Sequence, residues 1–165
     1  MKLSKAIQAI KTLINVGSRR PIILTSAPGV GKSSAVYQAA EALGMKLIEF
    51  RPALHGIEDL VGLPVFNEDK TKSSFATPDW LPKEEDGPGI LFLDEIFQAM
   101  PAMQNALSQL IHSPHRLHDY QLPDNWVIVC AANRAKDRAA THKAPSHVLD
   151  RLTEVEVEFH LEDWV

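Results

Sequence analysis

The chain predicts an α/β fold on a parallel sheet, and three features carry that prediction. Pro21-Ile-Ile-Leu-Thr25, Gly89-Ile-Leu-Phe-Leu-Asp94 and Trp126-Val-Ile-Val-Cys-Ala-Ala132 are unbroken apolar runs of strand length. Such runs mark strands buried on both faces, which is the situation of a parallel sheet covered by helices. A helical stretch, Ser33 to Leu43, separates the first run from the short strand Lys46-Leu-Ile-Glu-Phe50, giving a βαβ-like unit. Between the first strand and its helix lies a glycine-bearing turn, the usual junction in this class.

Leu3, Ile7, Ile10, Leu13 and Ile14 recur at helical spacing, so the first sixteen residues read as an amphipathic helix ending near Gly17. Gly44 suits the C-cap of the helix that starts at Ser33. Ile57-Glu-Asp-Leu-Val-Gly62 reads as a short helical turn. Turn-forming residues at 67–72, between Val65-Phe66 and Ser74-Phe75, predict a small hairpin. Pro78, Pro82, Gly87, Pro88 and Gly89 punctuate a loop. Pro101 fits the first turn of a helix whose stripe is Met103, Leu107, Leu110 and Ile111. Finally Val155, Val157 and Phe159 alternate with Glu154, Glu156 and Glu158, so residues 153–159 read as an edge strand with one wet face.

Ser26-Ala-Pro-Gly-Val-Gly-Lys-Ser33 follows the first strand and reads as a phosphate-binding loop. Gly29 and Gly31 let successive backbone N–H groups turn inward on an anion. The backbone from Ala27, Pro28 and Val30 to Ser34 would line that cradle, at a helix N-terminus that favours negative charge. Lys32 brings charge to the outer phosphates and Ser33 offers a hydroxyl to Mg²⁺. Ser26 stands where the pattern usually begins with glycine. Asp94-Glu95 ends a buried strand, and a parallel sheet delivers it to the same C-terminal edge as the loop. One carboxylate there can hold Mg²⁺ and the next can polarise a water. Asn133 ends the strand at 126–132 and could donate to the γ-phosphate or orient that water without adding charge. Arg151 is a candidate cation for the charge on the leaving phosphates, with Arg134 and Arg138 as competitors.

Composition narrows the classes further. A chain of 165 residues amounts to one domain, and 45% hydrophobic with 23% charged residues is ordinary for a globular protein. A net charge of −4 without a basic block gives no indication of nucleic-acid binding. Cys130 is the single cysteine and sits in an apolar run, so it reads as a buried hydrophobe in a reducing cytosol. No apolar run reaches membrane-spanning length, and the expected location is cytoplasmic. His112, His115 and His118 fall three apart, but Pro114 breaks any helix that would align them, so they read as solvated loop residues and not as a metal site.

Taken together, the loop, Ile90-Leu-Phe-Leu-Asp-Glu-Ile96, Ala131-Ala-Asn-Arg134 and Leu149-Asp-Arg-Leu152 resemble the AAA+ ATPases, most of all the MoxR-like, dynein-related branch. Glu58-Asp-Leu-Val-Gly62, Ala99-Met-Pro-Ala-Met-Gln-Asn-Ala-Leu107 and Leu122-Pro-Asp-Asn-Trp-Val-Ile-Val are similar to that branch's motifs along the whole chain. The resemblance implies a three-layer αβα sandwich with a five-stranded parallel sheet in the order 5-1-4-3-2 and a small β-hairpin insertion. It implies ATP and Mg²⁺ as ligands, with Lys32 and Ser33 on phosphates and metal, Asp94 ordering the metal and Glu95 activating water. Asn133 would be the first sensor, and Arg151 an arginine finger reaching a neighbour's nucleotide in a homo-oligomeric ring, often a hexamer. Phe97-Gln98 departs from the Asn-Arg pair common after the acidic motif. The family's helical lid and second-sensor arginine are expected beyond Val165, where Leu161-Glu-Asp-Trp-Val165 reads as the start of a helix, so the chain reads as the α/β core of a longer protein.

The preferred function is therefore Mg²⁺-dependent ATP hydrolysis coupled to remodelling of a protein partner. A nucleotide-binding assembly or DNA-associated module with little hydrolysis is one alternative. A small-molecule kinase is another, though neither an acceptor pocket nor an arginine-bearing lid is legible for it.

Overall fold

The computed structural model describes residues 1–134, 150–158 and 160. Five strands form one parallel sheet: β1 (Ile22–Ser26), β2 (Lys46–Phe50), β5 (Gly89–Leu93), β8 (Trp126–Asn133) and β9 (Thr153–Glu156). Their order is β2-β5-β8-β1-β9. Numbered among themselves along the chain, these strands stand in the order 5-1-4-3-2, as expected. Two short antiparallel hairpins complete the strands: β3 (Pro64–Phe66) with β4 (Ser73–Phe75), and β6 (Arg116–Leu117) with β7 (Tyr120–Gln121). The first lies where the turn residues predict it. The second was not anticipated, because two-residue strands carry no alternation to read.

Strand alternation sorts the core into two layers. Ile22, Leu24, Ile90, Phe92, Val129, Ala131 and Val155 face one side, where they pack on α1 (Leu3–Asn15) and α2 (Lys32–Leu43). Ile23, Leu91, Leu93, Ile128 and Cys130 face the other, against α4 (Pro101–Ile111) with its Met103, Leu107, Leu110 and Ile111. Successive residues of a strand point to opposite faces, so a central strand covered on both sides must be apolar throughout. β1 and β5 are buried at every position. Each buried Ile, Leu or Phe of these strands contributes about 1.5–3 kcal/mol through its removal from water. Cys130 lies inside this core, and burial pushes its thiol above the ordinary range.

At the edges the pattern loosens. β9 buries Val155 and leaves Glu154 and Glu156 exposed. The edge strand ends at Glu156, shorter than the 153–159 the alternation suggests. Val157 is still buried beside it, and its N–H donates to the Thr25 carbonyl at 2.7 Å. Phe159, and the helix expected from Leu161, lie outside the described residues. Gly44 ends α2 in the left-handed conformation at φ +63°, as its C-cap role requires. α3 (Glu58–Val61) is the predicted short helical turn. Among the described residues, no helix is long and apolar enough to cross a membrane.

One close approach explains the glycine that stands where the loop meets β5. Gly89 pairs in register with Trp126, and a Cβ built on it would stand 2.4 Å from the indole ring. The ring is fully buried, so it can shift only by displacing its neighbours. Gly89→Ala is expected to lower stability by about 1–3 kcal/mol, through overpacking, read as a shifted midpoint in urea denaturation. An unchanged midpoint would mean the indole has room that this packing does not show.

Candidate nucleotide site

All five sheet strands run the same way, so their C-terminal ends share one edge. β1 ends there at Ser26, and the loop that follows turns into α2 through two left-handed glycines, Gly29 at φ +77° and Gly31 at φ +95°. Gly31 is the N-cap of α2, so Lys32, Ser33 and Ser34 open the first turn. A helix's first turn directs N–H groups outward that have no partner within the helix, and with the helix dipole they make an anion-attracting cradle.

Lys32 points back under the loop instead of out to solvent, with 8% of its surface exposed. Its Nζ donates to Ser26 Oγ at 2.9 Å, to the Ala27 carbonyl at 3.4 Å and to Asn133 Oδ1 at 3.0 Å. A largely desolvated ammonium is costly and persists only where oxygens surround it. Ser26, which replaces the usual glycine, thus supplies an acceptor of its own. Asn133 reaches the lysine because β8 lies beside β1, with Ser26 and Asn133 in register.

Ser33 Oγ donates to Asp94 Oδ2 at 3.1 Å. Asp94 follows β5 directly, is 6% exposed, and its N–H donates to the Phe50 carbonyl at 3.0 Å. Hydroxyl and carboxylate oxygen so placed at a helix N-terminus are the donor types a hard divalent cation such as Mg²⁺ takes. The residues fit that group. Glu95 is half-buried and sits at φ +55°, ψ +40°. A left-handed backbone costs a residue with a Cβ roughly 1–2 kcal/mol. Here it turns the chain off the sheet into a 3₁₀ turn, Ile96–Gln98, while the Glu95 carbonyl accepts from the Gln98 N–H at 2.9 Å.

Arg51 was not singled out from the sequence. It follows β2, and the rule that placed Asp94 at this edge applies to it equally. Its Nε donates to Glu49 Oε1 at 2.8 Å and lies 3.8 Å from Asp94 Oδ2. Tyr37 of α2 donates to the other Glu49 oxygen at 2.5 Å. That bond, more than burial, raises the Tyr37 phenol above its ordinary value, and the Glu49 carboxylate raises Arg51 likewise.

Arg151 is not brought to this edge. It precedes β9, whose Thr153 pairs with Ile22 and donates its N–H to the Pro21 carbonyl at 2.8 Å. Five residues of β1 therefore separate it from its own chain's loop, roughly 16 Å at the rise of a strand. Arg134 does lie at the loop, its N–H donating to the Ser26 carbonyl at 3.0 Å and its Nη1 standing 3.4 Å from Glu156 Oε1. Arg138 lies outside the described residues. Of the three histidines, His115 corrects the expectation of solvation. It is 6% exposed, with Nδ1 3.1 Å from the Leu110 carbonyl. His118 is exposed and stacks on Phe75 at 4.2 Å. A cavity of about 590 Å³ opens beside β2, floored by Phe50 stacked on Trp80, but none of its lining residues belongs to the phosphate loop.

A family model described as "ATPase family associated with various cellular activities (AAA)" matches residues 22–157, which span the loop and every strand of the sheet. The chain belongs to the AAA family of ATPases. Among solved structures, a Lys→Arg mutant of RuvB from Thermotoga maritima matches with a TM-score of 0.59 at 20% identity. That match covers 96% of this chain and 44% of the RuvB chain, so the AAA domain described here spans less than half the length of that relative. At that identity the likeness is one of fold. No curated protein matches the sequence significantly.

Family membership and loop geometry together support ATP binding, and Lys32 is the residue on which affinity should depend most. Charge-assisted hydrogen bonds contribute roughly 1.5–3 kcal/mol. Lys32→Ala should therefore weaken Mg·ATP binding by about ten- to hundredfold, read by titration with a fluorescent ATP analogue. An affinity within twofold of wild type would remove Lys32 from the phosphate site.

Proposed function

We propose that the AAA domain hydrolyses ATP with Mg²⁺ and that the protein carrying it is a MoxR-like member of the family, working in an oligomeric ring to remodel a protein partner. The observation that carries this reading is the meeting of Lys32 with Asn133, and of Ser33 with Asp94, at one edge of the sheet. The branch assignment is supported by the hairpin β3–β4, inserted after Glu58-Asp-Leu-Val-Gly62 and before β5.

In this mechanism the backbone from Ala27 to Ser34 grips the phosphate chain, and Lys32 turns from Ser26 and Asn133 to meet the outer phosphates. Ser33 and Asp94 would hold Mg²⁺, which when bound neutralises charge on the β- and γ-phosphates. Glu95 takes a proton from the attacking water as that water bonds to the γ-phosphorus and the bond to the β–γ bridging oxygen breaks. Asn133, freed of Lys32, orients the water or the γ-phosphate without adding charge. Arg151 stands at the opposite edge of the sheet, so it serves a neighbouring copy's nucleotide, and hydrolysis requires assembly.

Glu95→Gln should keep ATP affinity within about twofold while turnover falls on the order of 10²–10⁴-fold, the usual worth of a positioned general base. Phosphate release at the wild-type rate would reject Glu95 in that role. In mixtures of wild-type and Arg151→Ala chains, activity should fall faster than the wild-type fraction. A strictly linear mixing curve would count against action in trans.

A further inference from the structure

The turn that carries Arg151 is held by another arginine. Arg20 immediately precedes β1, and its guanidinium reaches across to the residues that precede β9. Its Nη2 donates to the Asp150 carbonyl at 3.1 Å and to the Leu152 carbonyl at 3.3 Å, and its Nε donates to the Arg151 carbonyl at 3.3 Å. Three consecutive carbonyls are thus tied to one planar group. Leu152 is buried in the core behind them, and Thr153 is fixed to Pro21 by a backbone bond. Residues 150–152 belong to neither helix nor strand, so nothing in a regular ladder holds them. The Arg20 fork supplies that restraint.

The same two arginines line a cavity of about 500 Å³, together with Arg19, Pro21, His112 and Asp150. Arg19 is paired with Asp124. Arg151 is exposed, so its long side chain extends into solvent. A long flexible side chain loses roughly 2 kcal/mol of rotamer freedom when it is fixed. A cation that must meet phosphates on another molecule gains if its backbone, at least, is fixed beforehand.

We propose that Arg20 is a positioning residue: by binding the carbonyls of 150–152 it sets the direction in which Arg151 leaves the sheet edge toward a neighbouring copy's nucleotide. The inference rests on the reading of Arg151 as acting in trans. In this proposal Arg20 acts on the turn and not on a nucleotide. Its loss should act through Arg151 alone. Lysine could keep one of the three bonds but not the planar fork.

The test is a double-mutant cycle on ATP turnover by the assembled protein, with Arg20→Met, Arg20→Lys, Arg151→Ala and Arg20→Met/Arg151→Ala. Arg20→Met should lower kcat about tenfold, with KM for ATP and the affinity for a fluorescent ATP analogue within twofold. Arg20→Lys should fall between Arg20→Met and wild type. The double variant should be no slower than Arg151→Ala alone, since residues acting as a unit are not additive. Hydrogen exchange should rise at the amides of 151–153 in Arg20→Met while the rest of the sheet is unchanged, which separates a loosened turn from a failed fold. If the two losses multiply in the double variant, or if Arg20→Met leaves kcat intact while Arg151→Ala lowers it, Arg20 does not position Arg151. Should Arg151→Ala itself turn over at the wild-type rate, the trans reading falls, and the positioning role falls with it. Should Arg20→Met not fold, Arg20→Lys in the same cycle decides by the same criteria.

Discussion

Everything at the site follows from five strands running in one direction. Parallel pairing forces the ends of β1, β5 and β8 onto one edge, where Ser26, Leu93 and Asn133 stand as their last residues. The residues that follow inherit that placement. Asp94 needs only to come after Leu93 to arrive beside Ser33, and Asn133 needs only to end β8 to reach Lys32. Reversing any one of these strands would move its contribution to the far edge, a full strand length away. The apolar character of β1 and β5 holds this direction in place, because both faces of each strand must be covered by helices.

The same constraint divides the arginines. Arg51 and Arg134 follow strand ends and stand at the loop edge, where Arg51 balances Glu49 and Asp94. Arg20 and Arg151 precede strands and stand at the opposite edge, beyond reach of their own chain's phosphate loop. A domain built this way carries Asp94 and Glu95 on one rim and a second set of cations on the other. Stacking such domains rim to rim is the arrangement in which both sets could serve one nucleotide. That is the physical content of the proposal that hydrolysis depends on assembly.

Much of this was legible in the sequence, and for definable reasons. The apolar runs read at 21–25, 89–94 and 126–132 are legible because buried parallel strands need no alternation. The phosphate loop was legible because Gly29 and Gly31 adopt positive φ there, a conformation that other residues rarely afford. What escaped depends on contacts across the fold. By pattern alone Ser26 weakens the motif, yet in the fold its hydroxyl accepts from Lys32. His115 looked like a solvated loop residue, yet the hairpin β6–β7 folds over it, with the Leu122 N–H donating to its carbonyl. Arg51 and Arg20 carry no motif at all, and only their position against strand ends could have marked them.

The central claim is that residues 27–34, 94–95 and 133 surround a single polyphosphate. Titrating the isotope-labelled protein with Mg·ADP while following backbone amides and the Asn133 side-chain amide by NMR tests it most directly. The account predicts that signals from all three segments shift together and fit one dissociation constant. Shifts confined to some other surface, or segments that titrate with unrelated affinities, would contradict it.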